Sequence, residues 1–366
     1  MTNQNSYINL RVISLEPLET RYTKQWLDHI PLSIYNYCNE QRKKVVITNI
    51  VGKQIEDKTT PGAFLDFAGT NIWKSDQLLQ IAELFRDNKV KPGDIFLYTD
   101  FWNPTVIQLR YMSSLLNIPI KIIGIAHAGN YDPQDFLSRL IGKEEWIKNA
   151  ELSMFHCFDK LIFATQFHID MFVDFFGLDR EEEQFVRKHI VRSGFPMEYF
   201  PTLLNNFSKL EKKQQIVFPH RKSPEKQLDI FLDLAKALPE YNWVVCQDTK
   251  LTKDEYHTIL GESKISFSAN LQETLGLGQL ESLFCNTFPL VPNRLSYIEM
   301  YSDFFKYDSA WTIDWDSYIE NKPKLINRIK EIMNYSEKDY SKRLAEQKEY
   351  IIDNYINPDI MYSHLF

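Results

Sequence analysis

A chain of 366 residues with a formal net charge of -7 and 44% hydrophobic residues has a soluble globular composition and is long enough for two domains of ordinary size. It contains no run of eighteen apolar residues and begins with the polar stretch MTNQNSY, so neither a membrane span nor a signal peptide is expected, and a cytoplasmic location is. The mild acidity argues against a general nucleic-acid binder while leaving room for a local basic groove. Cys38, Cys157, Cys246 and Cys285 are scattered and read as reduced thiols, not as a disulfide frame or a zinc site.

The first strand is expected at Ile8 to Leu15, where apolar residues alternate. Glu16 to Lys24 follow, and then a helix through Trp26 and Leu27. The turn after a first strand is a crevice position in an open α/β sheet, so Arg21, Tyr22 and Lys24 are candidates to meet an acceptor molecule; a solvated helix start fits them equally. Further strands are expected at Val45 to Ile50, Asp94 to Thr99 and Ile120 to Ala126, with a helix over 76–87. The third strand runs into Asp100, Phe101, Trp102 and Asn103, and the fourth into His127, Gly129, Asn130, Tyr131 and Asp132. The His127 imidazole, just beyond a buried strand, is able to donate to a leaving phosphate or accept from a hydroxyl; the alternative is a structural loop histidine. His29, His156, His168 and His257 show no ligand spacing and read as structural or surface residues.

A helix over Trp146 to Cys157, a strand over Asp159 to Ala164 and a helix over Thr165 to Phe176 continue the alternation. Ile190 to Met197 reads as the chain leaving the first domain, and the lysine-rich run Asn205 to Gln214 as the linker. The second domain opens with a strand at Gln215 to Pro219, followed by Arg221, Lys226 and an amphipathic helix carrying Leu228, Phe231, Leu232 and Leu234. Cations at such a strand-to-helix turn suit a diphosphate, and an ordinary charged helix start is the alternative.

After a strand at Trp243 to Cys246 comes the most informative stretch, Ser266 to Tyr297. A short strand ends near Asn270, a loop carries Glu273, Gly276 and Gly278 open a helix through Glu281 and Phe284, and Phe288 to Val291 forms the next strand. Small residues at that turn let a phosphate or sugar approach the backbone, and the helix N-terminus offers unpaired N–H groups to an anion. Glu273 and Glu281 would stand roughly 12 Å apart if all the intervening residues were helical, so they grip different parts of one ligand. Spacing alone also fits two solvated helix-end acids. Helices are expected at Pro323 to Met333, with Pro323 at the first position, and at Tyr340 to Tyr355.

Together, Arg221 with Lys226 and Glu273 with Glu281 around TLGLGQL resemble the retaining GT-B glycosyltransferases. The resemblance is specific over residues 215–297 and architectural before them. The segment from Phe288 to Tyr297 is similar to a subset that includes queuosine tRNA mannosyltransferases and phage DNA-modifying glycosyltransferases. Gly194 fits a glycine common where such chains leave the first domain, whereas the glycines that often follow the first strand are absent here.

The resemblance implies an α/β fold of two doubly wound Rossmann-like domains facing a cleft. Residues 1–204 would form the acceptor side, joined by a terminal helix 340–366 crossing back, and 205–339 the nucleotide-sugar side. It implies sugar transfer with retention from a UDP- or GDP-sugar, with no metal and no further cofactor. Arg221 and Lys226 would neutralise the diphosphate, helped by the amides of Gly276, Leu277 and Gly278. Glu281 would bind the ribose, Glu273 the sugar, and His127 would lie near sugar or acceptor. The acceptor expected first is a 5-hydroxymethylpyrimidine in phage DNA, such as 5-hydroxymethylcytosine, modified in the host cytoplasm. Tyr22, Phe101, Trp102 and Tyr131 would hold the extruded base, and Arg21 and Lys24 would meet phosphates. A polysaccharide or tRNA acceptor, a nucleotide-sugar epimerase and a non-catalytic nucleotide-binding protein are the alternatives. The oligomeric state is not legible.

Overall fold

The computed structural model describes residues 7–18, 22–54, 66–178 and 188–366. The chain divides into two compact units, one formed by Met1–Ala164, His168–Pro196 and Asn357–Phe366, the other by Thr165–Phe167 and Met197–Ile356.

Among the described residues, unit 1 holds a six-stranded parallel sheet in the order β2-β1-β3-β4-β5-β6. Its strands are β1 (Ile8–Ile13), β2 (Val45–Ile50), β3 (Ile95–Tyr98), β4 (Lys121–Ala126), β5 (Lys160–Phe163) and β6 (Ile190–Arg192). The central strands are continuous apolar runs because helices cover both faces of such a sheet, and β3 is buried at every position. The helices are α1 (Tyr22–Glu40), α2 (Phe67–Arg86), α3 (Thr105–Leu115), α4 (Phe136–Ile141), α5 (Glu145–Cys157) and α6 (Gln166–Phe176). Helix α2 starts well before the expected residue 76, because Asp66 caps it by accepting from the Ala68 amide at 3.0 Å.

Unit 2 holds a parallel sheet in the order β11-β10-β9-β7-β8. Its strands are β7 (Gln215–Phe218), β8 (Asn242–Val245), β9 (Ile265–Phe267), β10 (Phe288–Pro292) and β11 (Lys306–Tyr307). Its helices include α7 (Leu228–Ala237), α8 (Lys253–Glu262), α9 (Leu277–Phe284), α10 (Trp315–Asn334) and α11 (Glu337–Tyr355); α12 (Pro358–Ser363) belongs to unit 1. Helix α10 does not start at Pro323. It starts after Asp314, which accepts from the Ser317 amide at 2.8 Å, and it runs through the proline. Its buried face of Tyr318, Leu325, Ile329, Ile332 and Met333 outweighs the hydrogen bond that Pro323 forfeits.

The units differ from the sequence-based boundaries at both ends. The division falls at 196/197, since Phe200 already packs on Phe284 of unit 2 with ring centroids 6.2 Å apart. Helix α11 stays with unit 2, where the Gln347 side chain accepts from the Ser302 amide at 2.9 Å and donates to the Met300 carbonyl at 2.7 Å. The segment Asn357–Phe366 alone returns to unit 1, where Lys121 Nζ donates to the carbonyls of His364 and Leu365 at 3.2 and 3.1 Å. All four cysteines are free, and Cys38, Cys246 and Cys285 are buried.

At the amino edge of the unit 1 sheet, Arg11 Nη1 meets Asp94 Oδ2 at 2.6 Å and Nη2 donates to the Lys89 carbonyl at 2.8 Å. Removing one member of a buried pair leaves the other charge uncompensated. Arg11→Leu is expected to cost about 3–5 kcal/mol, read as a lower urea midpoint of unfolding; an unchanged midpoint would contradict this.

Candidate functional site

In a doubly wound sheet, ligands gather outside the carboxyl edge where the strand order reverses. In unit 2 that point lies between β7 and β9, because β8 follows β7 on one side while β9 pairs on the other. The chain leaving β7 supplies His220 and Arg221, then a 3₁₀ turn, Pro224–Lys226, and Gln227 in a left-handed conformation before α7. The chain leaving β9 supplies Asn270, Gln272 and Glu273.

These two segments meet at Lys226. Its side chain is 6% exposed, and its ammonium donates to the Gln272 carbonyl and stands 3.1 Å from Glu273 Oε2 and 3.4 Å from Gln272 Oε1. Asn270 Nδ2 donates to the same Glu273 oxygen at 2.7 Å. Burial pushes the Glu273 carboxyl up, but its neighbours together, Lys226 first among them and Arg221 with it, hold the group below the usual carboxylate range, so it is ionised. Arg221 is held by a second carboxylate: Nη2 donates to Glu225 Oε1 at 2.6 Å and Nε to Ser223 Oγ at 3.0 Å. Arg221 and Lys226 are therefore charge-balanced within the chain.

The loop that carries Glu273 is tied down from its own backbone. The Arg294 guanidinium donates to the carbonyls of Ala269 and Asn270 at 2.6 and 2.7 Å and to that of Thr312 at 3.1 Å. Gln227 Nε2 donates to the Ala269 carbonyl and, at 2.7 Å, to that of Thr312. The Leu271 amide donates to the Glu225 carbonyl at 2.8 Å.

The two glycines of the motif serve this packing. Gly276 has φ +72°, and a Cβ there would lie 2.8 Å from Tyr297 Cε1. A Cβ on Gly278 would lie 3.3 Å from Pro219, so its smallness lets α9 press against the end of β7. At Gly278 the lack of a Cβ thus serves the packing of Pro219. The first-turn amides of α9, at Leu277 and Gly278, nonetheless open the helix without an intrahelical acceptor.

Glu281 sits further along α9 in a separate network. Tyr256 OH donates to its Oε2 at 2.9 Å, His257 Nε2 lies 3.3 Å from its Oε1, and Lys253 Nζ is 3.8 Å away. Burial pushes its carboxyl up, but Lys253, His257 and Tyr256 together hold it below the ordinary value. None of these three partners was expected at a site from the sequence, nor was α8 itself. The signal that marks them is the capping box Thr252–Glu255, in which each side chain meets the other residue's backbone amide.

In unit 1 the corresponding reversal lies between β1 and β3. His127, at the end of β4, has both ring nitrogens engaged. Nε2 is 2.8 Å from the Thr99 carbonyl, which only accepts, so Nε2 carries the proton, and Nδ1 accepts from Tyr22 OH at 2.8 Å. The ring also packs on Trp26 and Phe195, with centroids 5.2 and 5.0 Å apart. Tyr22 and Lys24 lie in the first turn of α1, partly exposed, and Arg21 lies outside the described residues. Trp102 is half-buried and donates Nε1–H to Glu151 Oε1 at 3.0 Å. Glu151 also accepts from the Asn130 amide at 3.0 Å, and burial pushes its carboxyl up to about 8.

Two expected base-stacking residues are corrected by the structure. Tyr131 and Phe101 are 1% and 0% exposed and belong to the core of unit 1, where Tyr131 packs edge-on to Phe172 at 5.2 Å. Their rings contact protein on both faces and present none to a ligand. Among the described residues, no group of three His, Cys, Asp or Glu is placed to hold a metal ion, and no helix is long and apolar enough to cross a membrane.

No family model matches the chain. A tRNA-queuosine alpha-mannosyltransferase of Drosophila melanogaster is 23% identical over 199 residues, which is 42% of this chain and 52% of that protein. The match thus spans about half the length of the relative. Among solved structures, WaaG, a glycosyltransferase involved in lipopolysaccharide biosynthesis, superposes with a TM-score of 0.54 at 11% identity, covering 98% of this chain and 99% of WaaG. The lipopolysaccharide outer core galactosyltransferase WaaB gives 0.53 at 9% identity, with 98% of each chain covered. The catalytic domain of starch synthase IV from Arabidopsis thaliana, bound to ADP and acarbose, gives 0.52 at 10% identity, covering 95% of this chain and 99% of that one. The chain has the α/β fold of these GT-B glycosyltransferases, with two parallel-sheet Rossmann-like domains.

One titration follows from the site. His220, 6% exposed, lies 3.3 Å from both Asn270 Nδ2 and Gln279 Nε2, and burial drives its pKa down from 6.5 to about 3. Between these values the unfolded chain binds more protons than the folded one, so stability is full above pH 6.5 and declines as pH falls towards 3. The unfolding free energy, measured in urea at about pH 7.5 and about pH 5, is expected to drop on acidification, and His220→Gln to flatten that drop. Equal slopes in the two proteins would show that His220 titrates normally.

Proposed function

We propose that this protein is a glycosyltransferase that moves a sugar from a UDP- or GDP-linked donor to a hydroxyl acceptor, with retention at the anomeric carbon. The observation that carries this reading is the Lys226–Glu273 pair, joined at 3.1 Å across the β7/β9 reversal and bordered by Arg221 and the α9 N-terminus. A buried ammonium beside helix amides suits a diphosphate, and an ionised carboxylate beside it suits sugar hydroxyls. The incoming phosphate oxygen displaces the weakest contact of Lys226, the one at 3.4 Å to Gln272 Oε1. Glu273 keeps its bonds to Lys226 and Asn270 and uses its remaining lone pairs for the sugar.

In the reaction, the bond between the anomeric carbon and the phosphate oxygen breaks. The acceptor oxygen bonds on the same face, and its proton passes to the leaving phosphate. Arg221, Lys226 and the α9 amides stabilise the charge that develops there. This scheme uses no protein nucleophile and no metal. His127, with its nitrogens committed to Thr99 and Tyr22, acts by shape at the unit 1 edge, not as a base.

The acceptor we favour is a modified nucleobase, first a 5-hydroxymethylpyrimidine of phage DNA. Support comes from the resemblance of the Phe288–Tyr297 segment and from the partly exposed aromatic rings of Tyr22 and Trp102 at the unit 1 edge, with Lys24 for a phosphate. A tRNA acceptor is the second reading, favoured by the similarity to the Drosophila tRNA-queuosine alpha-mannosyltransferase. Incubation with hydroxymethylcytosine DNA, tRNA or an oligosaccharide, each with UDP- and GDP-sugars, is expected to add a sugar mass to the hydroxymethylated nucleoside. Lys226→Ala should lower turnover by about 10²-fold or more. Transfer to the oligosaccharide alone would overturn the acceptor, and full turnover by the variant would overturn the site.

A further inference from the structure

The strands of unit 1 after β1 are entered through basic residues. Arg42, Lys43 and Lys44 precede β2, and Lys89 and Lys91 precede β3. Lys121 and Lys160 are the first residues of β4 and β5, and Lys188 lies just before β6. The strands run parallel, so all these entries fall on one edge of the sheet, the amino edge. Arg42, Lys44, Lys89, Lys91 and Lys188 are exposed there, and Lys43, Lys121 and Lys160 partly so.

Carboxylates at the same edge are engaged by other cations. Asp94 is held by Arg11 at 2.6 Å and Asp159 by Arg110 at 2.8 Å, while Asp87 meets Arg86 and Lys89 at 3.3 and 3.2 Å. Glu40 is exposed at the end of α1. Lys121 Nζ donates to the carbonyls of His364 and Leu365, and Lys43 Nζ lies over the Phe366 ring at 4.6 Å. The like charges crowd one another: burial first, and then Lys160, lower the pKa of Lys121, with Lys43 adding to them against Asp159. The whole chain carries a net charge of -7, so this edge is a local field of the opposite sign. Neighbouring strands stand about 4.8 Å apart, so the row of entries from β2 across to β6 spans about 24 Å. One strand of DNA sets a phosphate about every 3.4 Å along the axis, so about seven phosphates face a row of that length. A line of flexible ammonium groups suits a line of phosphates, and it makes the contact without reading sequence.

We propose that the amino edge of the unit 1 sheet is a docking surface for the phosphate backbone of duplex DNA, separate from the place where the reacting base is held. Lys121 and His127 lie at opposite ends of β4, about 20 Å apart at about 3.3 Å per residue. The surface therefore retains DNA near the enzyme and steers its approach, without touching the base. This rests on the DNA acceptor proposed above and adds to it the residues that hold DNA outside the reacting nucleotide.

Fluorescence anisotropy of the full chain with an unmodified duplex of about 30 base pairs, at salt from about 50 to 200 mM, tests it. The wild type is expected to bind, with the logarithm of affinity falling linearly in the logarithm of salt concentration. The triple variant Lys91→Glu, Lys160→Glu and Lys188→Glu, which changes three strand entries, should bind about tenfold or more weakly, with a slope shallower by about 2–3. The same three positions changed to Gln should give a smaller loss of the same sign, and they read the slope if the glutamates disturb folding. Binding of UDP or GDP, followed by calorimetry, should be unchanged in both variants. Affinity and slope equal to wild type in both variants overturn the inference, as does a wild type that leaves the duplex unbound at about 50 mM salt. Equal loss of nucleotide and DNA in both variants also overturns it, because that is damage to the fold. Binding to phosphatidylserine vesicles that the variants lose, with DNA binding retained, overturns it in favour of a lipid surface. DNA binding that needs the three lysines, without sugar transfer to hydroxymethylcytosine DNA, supports this inference and overturns the proposed acceptor. Transfer to a hydroxymethylated mononucleotide by a protein that leaves the duplex unbound overturns this inference alone.

Discussion

The ion pair between Lys226 and Glu273 is the interaction on which the rest of unit 2 is arranged. It joins the segment leaving β7 to the segment leaving β9, two strands that are neighbours in the sheet but far apart in the chain. The ammonium of a side chain only 6% exposed is expensive to desolvate, and a pair of this kind persists only when further hydrogen bonds satisfy it. Here they come from the Gln272 carbonyl on one side and Asn270 on the other. The carbonyls of Ala269 and Asn270 are in turn gripped by Arg294, so the geometry of the pair is inherited from a backbone anchored elsewhere. A site built this way is preorganised: its charges are positioned before a ligand arrives.

The eight-residue spacing of the two glutamates gains its meaning from the turn between them. Gly276 in its left-handed conformation ends the loop and starts α9, so Glu273 stays with the β9 segment while Glu281 turns towards α8. The result is two ionised carboxylates in two separate networks, one with Lys226 and one with Lys253, Tyr256 and His257. They do not share a proton, and each is kept charged by its own cation. Arg221 differs again, since the buried Glu225 orients it from one turn away.

Much of this was legible because it is local. The alternation of apolar runs with amphipathic helices indicates a doubly wound α/β chain, and both sheets are parallel with the order reversing once. The residues that converge at the β7/β9 edge sit directly after strands, where position in sequence fixes position in space. What was not legible depends on side-chain direction or distant packing. Tyr131 and Phe101 follow strands as Trp102 does, yet they turn inward to Phe172, which lies on a helix far along the chain. The run from Asp254 to Glu262 has too few apolar residues to announce a helix, and only its capping box reveals α8 and with it the partners of Glu281. Pro323 looked like a helix start because proline is favoured there, but the apolar face continues on both sides of it. The division at 196/197 is set by Phe200 finding Phe284, a contact that no local composition records.

The central claim is that a nucleoside diphosphate binds at the β7/β9 edge through Lys226 and the opening turn of α9. A crystal structure with UDP or GDP bound tests it most directly. The account predicts a phosphate oxygen at about 2.7–3.1 Å from Lys226 Nζ and from the amide of Leu277 or Gly278, with Glu273 still bonded to Lys226. A nucleotide bound elsewhere, with Lys226 Nζ contacting only Gln272 and Glu273, would contradict it.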